Sequence, residues 1–115
     1  MSDTGTPATP AADFAVASKV ADGEATVSVR GEVDVYTAPQ LRECLYGVVV
    51  DGNRRVVLDL SAMSFIDSTG LGVIVGTLKR LREGGGDLVL RSPSRSTRKV
   101  LEITGLTRIM EIVES

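Results

Sequence analysis

The stretch RRVVLDLSAMSFIDSTGLGVIVG, residues 54–76, decides the fold because it leads from a buried strand through a polar connection into a helix. Its VVL run at 56–58 is continuous and β-prone, which is typical of a central strand. From Ser68 to about Glu83 the apolar residues recur at helical spacing. We therefore expect the strand to end at Leu60 and the residues that follow to form the connection.

Upstream, two β-prone segments flank a predicted tight turn. They are Phe14–Val20 and Ala25–Val33, and in the second the apolar residues alternate with polar ones, as on a half-buried strand. The Asp22-Gly23 pair between them favours a two-residue hairpin turn. The sequence therefore predicts an antiparallel hairpin near the amino end of the domain.

The segment TAPQLRECLYGVVV predicts the first helix. Thr37 is its expected N-cap, Gln40 three residues later completes a capping box, and Pro39 is tolerated in the first turn. The buried face is one apolar stripe with helical spacing. It consists of Leu41, Cys44, Leu45, Val48 and Val49.

The rest of the chain predicts two more strands and one more helix. The second helix is expected to end at Gly84, the next strand to span Asp87–Arg91 and the last strand to span residues 110–113. Between those strands, Ser92 and Pro93 are the expected N-cap and first residue of the third helix.

The third helix is expected to end with Gly105 at the C′ position, where Leu106 can pack back on Leu101. The order ββαβαβαβ predicts a single α/β domain over residues 13–115, with a mixed four- to five-stranded sheet and about three helices packed against it. Residues 1–12, rich in Thr, Pro and Ala, are expected to form a flexible N-terminal tail.

Composition excludes several classes of function. The chain has 115 residues and a net charge of −2, so no overall field favours nucleic acid or an anionic membrane. Its single cysteine, Cys44, cannot form an internal disulfide or a Cys-pair zinc site and is compatible with the cytoplasm. No apolar run is long enough to cross a bilayer.

An enzyme is the first alternative, because Ser68 stands at a strand-to-helix turn like the nucleophile of a hydrolase. The chain has no histidine, however, so it cannot form a Ser-His-Asp triad or an imidazole general base. It also lacks the G-x-S-x-G elbow and the P-loop pattern. We therefore predict that the chain is not an enzyme and needs no cofactor or metal.

Three consecutive polar residues, Asp67, Ser68 and Thr69, precede the second helix. They can be capping residues only, although one helix end needs one cap. They can also form a modification site, because the positive end of a helix favours phosphate and a phosphoserine carries about −1.5 to −2 charge at pH 7. Beside Asp67 that charge would repel an acidic partner or occupy the space that a partner needs.

Three stretches resemble one family. They are FIDSTGLGVIVG with LDLSAMS before it, GEVDVYTAPQLR at 31–42 and KVLEITGLTRIMEIV at 99–113. In this order and spacing they resemble the STAS domain of bacterial anti-sigma factor antagonists, from about Phe14 to Val113. The fold that this resemblance implies agrees with the elements predicted above.

The resemblance implies a phosphorylation switch. Ser68, directly after the motif aspartate, would be the phosphoacceptor, and Thr69 is the alternative acceptor or a capping residue. The unphosphorylated chain would bind an anti-sigma factor that is also a serine kinase, and so free a sigma factor. Phosphorylation by that kinase would block the complex, and a PP2C-type phosphatase would remove the phosphate and restore the unphosphorylated chain. ATP would belong to the kinase, and neither nucleic acid nor membrane is an expected partner.

The same resemblance implies roles for neighbouring residues. Asp34 would hold the phosphoacceptor loop or meet a basic group on the kinase, or else would be only a turn residue before Thr37. Asp67 is expected to be a cap rather than a base. The expected contact face is Gly70, Leu71, Gly72 and Val73. Gly72 and Gly76, with Val73 between them, are expected to leave one side of the helix nearly bare.

Another binding role is the second alternative. STAS domains also serve as stressosome subunits, as transporter tails and as subunits of lipid-transport complexes. The lack of a predicted transmembrane segment speaks against a transporter tail, and the intact Asp-Ser-Thr-Gly site favours the antagonist. The antagonist is therefore the predicted function, with a scaffold or complex subunit as the alternative.

Overall fold

The computed structural model describes residues 13–114, in which five strands form one mixed sheet. The strands are Ala15–Ala21 (β1), Glu24–Val33 (β2), Arg55–Ile66 (β3), Asp87–Arg91 (β4) and Glu111–Val113 (β5). The helices are Ala38–Val50 (α1), Ser68–Glu83 (α2) and Arg95–Ile103 (α3), followed by a 3-10 helix at Leu106–Arg108. The predicted α/β class is confirmed, whereas the predicted tail at residues 1–12 lies outside the described residues.

The strands follow one another across the sheet in chain order. β1 and β2 are antiparallel, and every later pair is parallel because a helix returns the chain to the same edge. The turn between β1 and β2 has positive φ at both Asp22 (55°) and Gly23 (78°), and Ala21 pairs with Glu24. The predicted two-residue hairpin is confirmed.

Strand β3 is longer than the sequence predicts. It does not end at Leu60 but continues to Ile66, so the expected connection over Ser61 to Ile66 is wrong. Its pairing with β2 shifts register near Ser28 and again after Gly31, which lets the strand continue beside its neighbour. At each shift β3 has one residue more than β2, since Ser28 and Arg30 pair with Asp59 and Ala62. These extra residues break the period-two alternation of β3, and the sequence pattern alone therefore does not reveal the extension.

The core lies between the sheet and helices α1 and α2. Leu41, Leu45 and Val48 of the predicted α1 stripe are buried, and Cys44 and Val49 pack partly against them. Burial raises the pKa of the Cys44 thiol, and the Ser18 side chain only partly offsets this. The predicted packing role of Cys44 is therefore consistent with its surroundings.

Of the two predicted N-cap positions, Thr37 agrees with the structure and Ser92 is wrong. Thr37 stands at the N-cap position of α1, but its hydroxyl caps nothing and no capping box forms; instead Oγ1 donates to the Glu32 carbonyl at 2.7 Å. At α3 the N-cap is Ser94, whose Oγ accepts from the Thr97 amide at 3.2 Å. Ser92 precedes that N-cap by two residues; its φ of 54° lies outside the extended region typical of an N-cap, and its amide donates to the carbonyl of Val113.

The predicted ends of α2 and α3 agree with the structure. Gly84 is the C-cap of α2, and Gly105 follows α3 with a φ of 80°. The Gly105 amide donates to the Glu102 carbonyl at 3.1 Å, and Leu101 and Leu106 are both buried in the core. Across residues 13–114, no helix combines the length and apolar character needed to span a membrane.

Candidate functional site

The carboxyl ends of β2 and β3 lie side by side and bring two aspartates to one edge of the sheet. Val33 pairs with Ile66, so the residues that follow, Asp34 and Asp67, begin adjacent loops. The Asp67 amide donates to the Val33 carbonyl at 3.1 Å, which ties one loop to the other. The carboxyl edge of parallel strands is a common location for binding sites in α/β sheets.

Asp67 caps helix α2. Its backbone is extended (φ −105°, ψ −173°), and its Oδ1 accepts from the Gly70 amide at 3.1 Å. The predicted capping role of Asp67 is confirmed. Since this one carboxylate provides the cap, the alternative that all three polar residues are capping residues does not hold for Ser68 and Thr69.

Ser68 and Thr69 are the first two residues of α2, and both are exposed. Neither hydroxyl forms a hydrogen bond with any residue between 13 and 114. The first turn of a helix carries amides without intrahelical partners and the positive end of the helix dipole. The Ser68 hydroxyl is therefore accessible at a position that stabilises added negative charge.

Asp34 organises the turn between β2 and α1. Its Oδ1 accepts from the amides of Tyr36 (2.9 Å) and Thr37 (3.1 Å), and its own amide donates to the Thr37 hydroxyl at 2.9 Å. The turn role weighed for Asp34 is confirmed. Its Oδ2 accepts no hydrogen bond from residues 13–114.

Three apolar side chains that sequence reasoning missed are exposed at the same edge. Val35 is 58% exposed, Tyr36 is 84% exposed and Phe65 is 48% exposed. Val35 and Tyr36 follow Asp34, and Phe65 precedes Asp67 by two residues. Exposed apolar side chains around a polar centre are typical of protein-binding surfaces. The signal in the sequence is that Val35 and Tyr36 belong to neither the strand alternation nor the helical stripe.

The glycines of α2 have different surroundings. A Cβ on Gly70 would lie 2.6 Å from side-chain carbons of both Val33 and Ile66, so Gly70 lets the helix begin close to the strand ends. A Cβ on Gly76 would lie 2.6 Å from the Tyr46 hydroxyl. A Cβ on Gly72 would meet no described atom within 4 Å. Of these three glycines only Gly72 therefore leaves bare surface, so the expectation that Gly72 and Gly76 both do so is confirmed for Gly72 and wrong for Gly76.

The expected contact face divides accordingly. Gly70 and Val73 are buried, Leu71 is half-buried, and Gly72 is exposed beside Thr69. A partner could touch Thr69, Leu71 and Gly72 directly, whereas Gly70 acts by setting the position of the helix start.

An open groove of about 370 Å³ runs between α1 and α2. Its lining residues are Ala38, Pro39, Arg42, Tyr46, Thr69, Gly72 and Val73. The guanidinium groups of Arg42 and Arg80 lie 4.9 and 4.5 Å from the centre of the Tyr46 ring. No sequence motif marks this groove, because its residues come from two helices that only the tertiary structure brings together.

Tyr46 is electrostatically coupled to both arginines. Burial would raise the pKa of its phenol, but hydrogen bonds with Arg80 and Arg42, together with their positive charges, hold it below the ordinary value. The groove therefore has a positive end. In the part of the chain that the structure describes, no three His, Cys, Asp or Glu side chains lie close enough together to hold a metal ion.

Comparison with known proteins gives consistent matches. A sequence model of the STAS domain matches residues 15–115. The anti-sigma-B factor antagonist of Staphylococcus aureus (strain NCTC 8325 / PS 47) is 43% identical over 88 residues, which cover 76% of this chain and 82% of that protein. The crystal structure of an anti-sigma factor antagonist from Mycobacterium paratuberculosis superposes with a TM-score of 0.79 at 32% identity, covering 87% of this chain and 85% of the other.

A more distant likeness concerns the fold alone. The anti-sigma factor antagonist SpoIIAA in its unphosphorylated form has a TM-score of 0.76 at 24% identity, covering 89% of this chain and 87% of that one. The phosphorylated form of the Bacillus protein has a TM-score of 0.71, again at 24% identity, and covers 89% of this chain and 90% of that one. The same fold is thus found in a protein with and without phosphate.

Proposed function

This chain belongs to the STAS domain family, and we propose that it is an anti-sigma factor antagonist, which binds an anti-sigma factor and so frees a sigma factor. Relatives that carry this name are 43% and 32% identical to it, and each match covers at least three quarters of both chains. The observation that carries the proposal is the Ser68 hydroxyl, which is exposed and unbonded among residues 13–114 at the first position of α2.

Ser68 is the phosphoacceptor in this proposal. Its position is compatible with modification because the hydroxyl faces solvent and the first turn of α2 stabilises a phosphate. Asp67 already holds the helix cap, so modification of Ser68 breaks no hydrogen bond within the described residues. A phosphate of about −1.5 to −2 charge there adds to the carboxylates of Asp34 and Asp67. The partner therefore senses a local change in charge rather than a change in fold.

Thr69 is the alternative acceptor, since it is equally exposed at the next position. The partner surface comprises Asp34, Asp67, Thr69, Leu71 and Gly72. Gly70 and Val73 support it from beneath. The exposed Val35, Tyr36 and Phe65 extend this surface with apolar area.

The anti-sigma factor is also the serine kinase, and a PP2C-type phosphatase removes the phosphate. Both assignments follow from the family resemblance. The kinase supplies ATP, transfers its terminal phosphoryl group to the Ser68 oxygen and releases ADP, so this chain is a substrate and not an enzyme. Such an exchange would take place in the cytoplasm, where sigma factors meet RNA polymerase.

The test is a paired pull-down from the native lysate with Ser68→Ala and Ser68→Asp as baits, followed by kinase assays with the purified partner. We expect Ser68→Ala to retain an ATP-binding anti-sigma factor and Ser68→Asp to lose it. Thr69→Ala is the matched control and should still accept phosphate. Phosphate mapped to any residue other than Ser68 would contradict the acceptor assignment. If both baits hold the same partners, a scaffold or complex subunit replaces the switch.

A further inference from the structure

The positive end of the groove between α1 and α2 has no acidic counterpart. We call Arg42, Tyr46 and Arg80 the arginine–tyrosine cluster, because both guanidinium groups lie over the Tyr46 ring, and neither arginine forms an ion pair with a described residue. Four other arginines of residues 13–114 form ion pairs: Arg55 with Glu24, Arg82 with Asp87, Arg91 with Asp59 and Arg98 with Glu114. The remaining described arginines form none either, but among them only Arg42 and Arg80 lie over a common aromatic ring. Two stacked cations therefore remain available for an external carboxylate.

The remainder of the groove is shaped to receive a polypeptide segment. Its floor is apolar or bare, since it is formed by Ala38, Pro39, Val73 and the open side of Gly72. Its other end is the first turn of α2, where Thr69 offers a free hydroxyl. A segment with acidic and apolar residues would meet a cation at one end and the positive end of a helix at the other.

We propose that this groove binds an acidic segment of the partner protein, with apolar side chains over Gly72 and Val73 and carboxylates on Arg42 and, beyond the Tyr46 ring, on Arg80. The identity of the partner as the anti-sigma factor rests on the proposed function. The acidic chemistry of the segment rests on the arginine–tyrosine cluster alone. Complementary charge across an interface raises the association rate and excludes partners of the wrong charge.

An acidic polypeptide fits this surface better than a nucleic acid or a membrane. Extended polyanions require a stripe of many cations, whereas Arg42 is the cation that lines the groove, Arg80 adjoins it only through the Tyr46 ring, and the whole chain has a net charge of −2. The carboxylates of Asp34 and Asp67 at the adjoining sheet edge would repel a continuous row of phosphates. A short segment avoids them because it needs only the groove itself.

The groove also gives the phosphorylation switch a physical basis. Ser68 precedes Thr69, which lines the groove, so a phosphate on Ser68 lies within one residue of the bound segment. The Debye length is about 8 Å at physiological salt, and charges this close together are only partly screened. Phosphorylation would therefore repel the acidic segment without any rearrangement of the helices.

The first test uses the unmodified full chain and a short fluorescein-labelled peptide of glutamate and leucine, with a glutamine–leucine peptide as the uncharged control. We expect the acidic peptide alone to bind, with amide shifts of the ¹⁵N-labelled chain concentrated at Arg42, Tyr46, Thr69 and Gly72. Binding should weaken at least tenfold in the Arg42→Gln/Arg80→Gln variant. Arg95→Gln/Arg108→Gln changes the net charge equally at exposed sites elsewhere and should bind as the unmodified chain does.

The inference is overturned if the acidic peptide does not bind, if its shifts fall outside the groove, or if both double variants weaken binding equally. It is also overturned if a duplex oligonucleotide or an anionic phosphatidylserine vesicle binds the groove and the peptide does not. The purified anti-sigma factor separates this inference from the proposed function. If Ser68→Asp loses that partner but Arg42→Gln/Arg80→Gln keeps it, the groove is not the binding site and the proposed phosphorylation switch stands. If the peptide occupies the groove but Ser68 is never phosphorylated, the switch is wrong and the groove stands.

Discussion

Replacing Gly72 with alanine should make the protein more stable and a poorer partner. Gly72 is the fifth residue of α2, well inside the helix, and a Cβ there would meet no described atom within 4 Å. Alanine is favoured over glycine inside a helix by about 1 kcal/mol, because glycine loses more backbone entropy on folding. With no clash to offset it, most of that gain should appear in the free energy of unfolding, which for a domain of this size raises Tm by about 4–8 °C.

The added methyl group lies on the floor of the groove, where the proposed acidic segment would lie. We therefore expect the affinity for the anti-sigma factor to fall while stability rises. Urea denaturation followed by circular dichroism gives the free energy of unfolding, and titration calorimetry gives the affinity. A fall in affinity together with a rise in the free energy of unfolding would identify Gly72 as a contact residue, because damage to the fold would lower both quantities.

Gly70→Ala is the matched control in the same helix. It gains the same helix propensity, but its Cβ would lie 2.6 Å from side-chain carbons of both Val33 and Ile66. Overpacking of this kind costs about 1–3 kcal/mol, so the net effect should be destabilising. A loss of stability in Gly72→Ala would refute the account of α2, and unchanged affinity would remove Gly72 from the partner surface.

Three further predictions concern the described fold. Gly86→Ala should cost about 3 kcal/mol or more in urea denaturation, because its Cβ would lie 2.1 Å from the backbone oxygen of Arg54; a neutral result would contradict that close contact. Ser68→Asp should raise the free energy of unfolding by about 0.3–1 kcal/mol at low salt and by less at high salt, because its charge lies at the amino end of α2. A lower melting temperature would mean that this variant loses its partner because the fold is damaged and not because the added charge repels the partner. Burial would raise the pKa of Asp59, but hydrogen bonds from the Ser61 amide and from Arg91 hold that pKa below the usual range. The ionised carboxylate therefore stabilises the fold above about pH 4, and this stabilisation is lost as the pH falls through the lowered pKa. Asp59→Asn should thus lower Tm at pH 7 and hardly change it near pH 2, and an equal loss of Tm at both pH values would refute this.

Features that depend on neighbouring residues were predictable from the sequence. The Asp22-Gly23 hairpin, the Asp67 cap and the Gly105 helix end each rely on bonds that span a few residues. Predictions failed where a strand supplied the hydrogen-bond partner. The Ser92 amide donates to the Val113 carbonyl of β5, and the N-cap of α3 is Ser94 instead. Thr37 stands at the start of α1 as predicted, but its hydroxyl donates to the Glu32 carbonyl of β2 and forms no capping box.

The candidate site shows the same division. The cap and the free hydroxyl of the site can be predicted from consecutive residues, since an Asp-Ser-Thr-Gly segment at the start of a helix supplies both. The roles of Ser68 and Thr69 as acceptors stay predictions. The exposed Val35, Tyr36 and Phe65 were not predicted, because exposure depends on what packs above a residue rather than on its own type.

The sequence by itself determined the order of elements, the apolar stripes and the segment that caps α2, since each depends on chain-local periodicity and hydrogen bonding. Only the tertiary structure decided which side of each helix is bare. Gly70, Gly72 and Gly76 are chemically identical, yet one meets the strand ends, one meets solvent and one meets Tyr46. Likewise Arg42 and Arg80 become a single positive site only because α1 and α2 pack together. Contacts between distant segments form when the segments bury a shared core, and the residue pattern of one segment does not specify how it packs against the other.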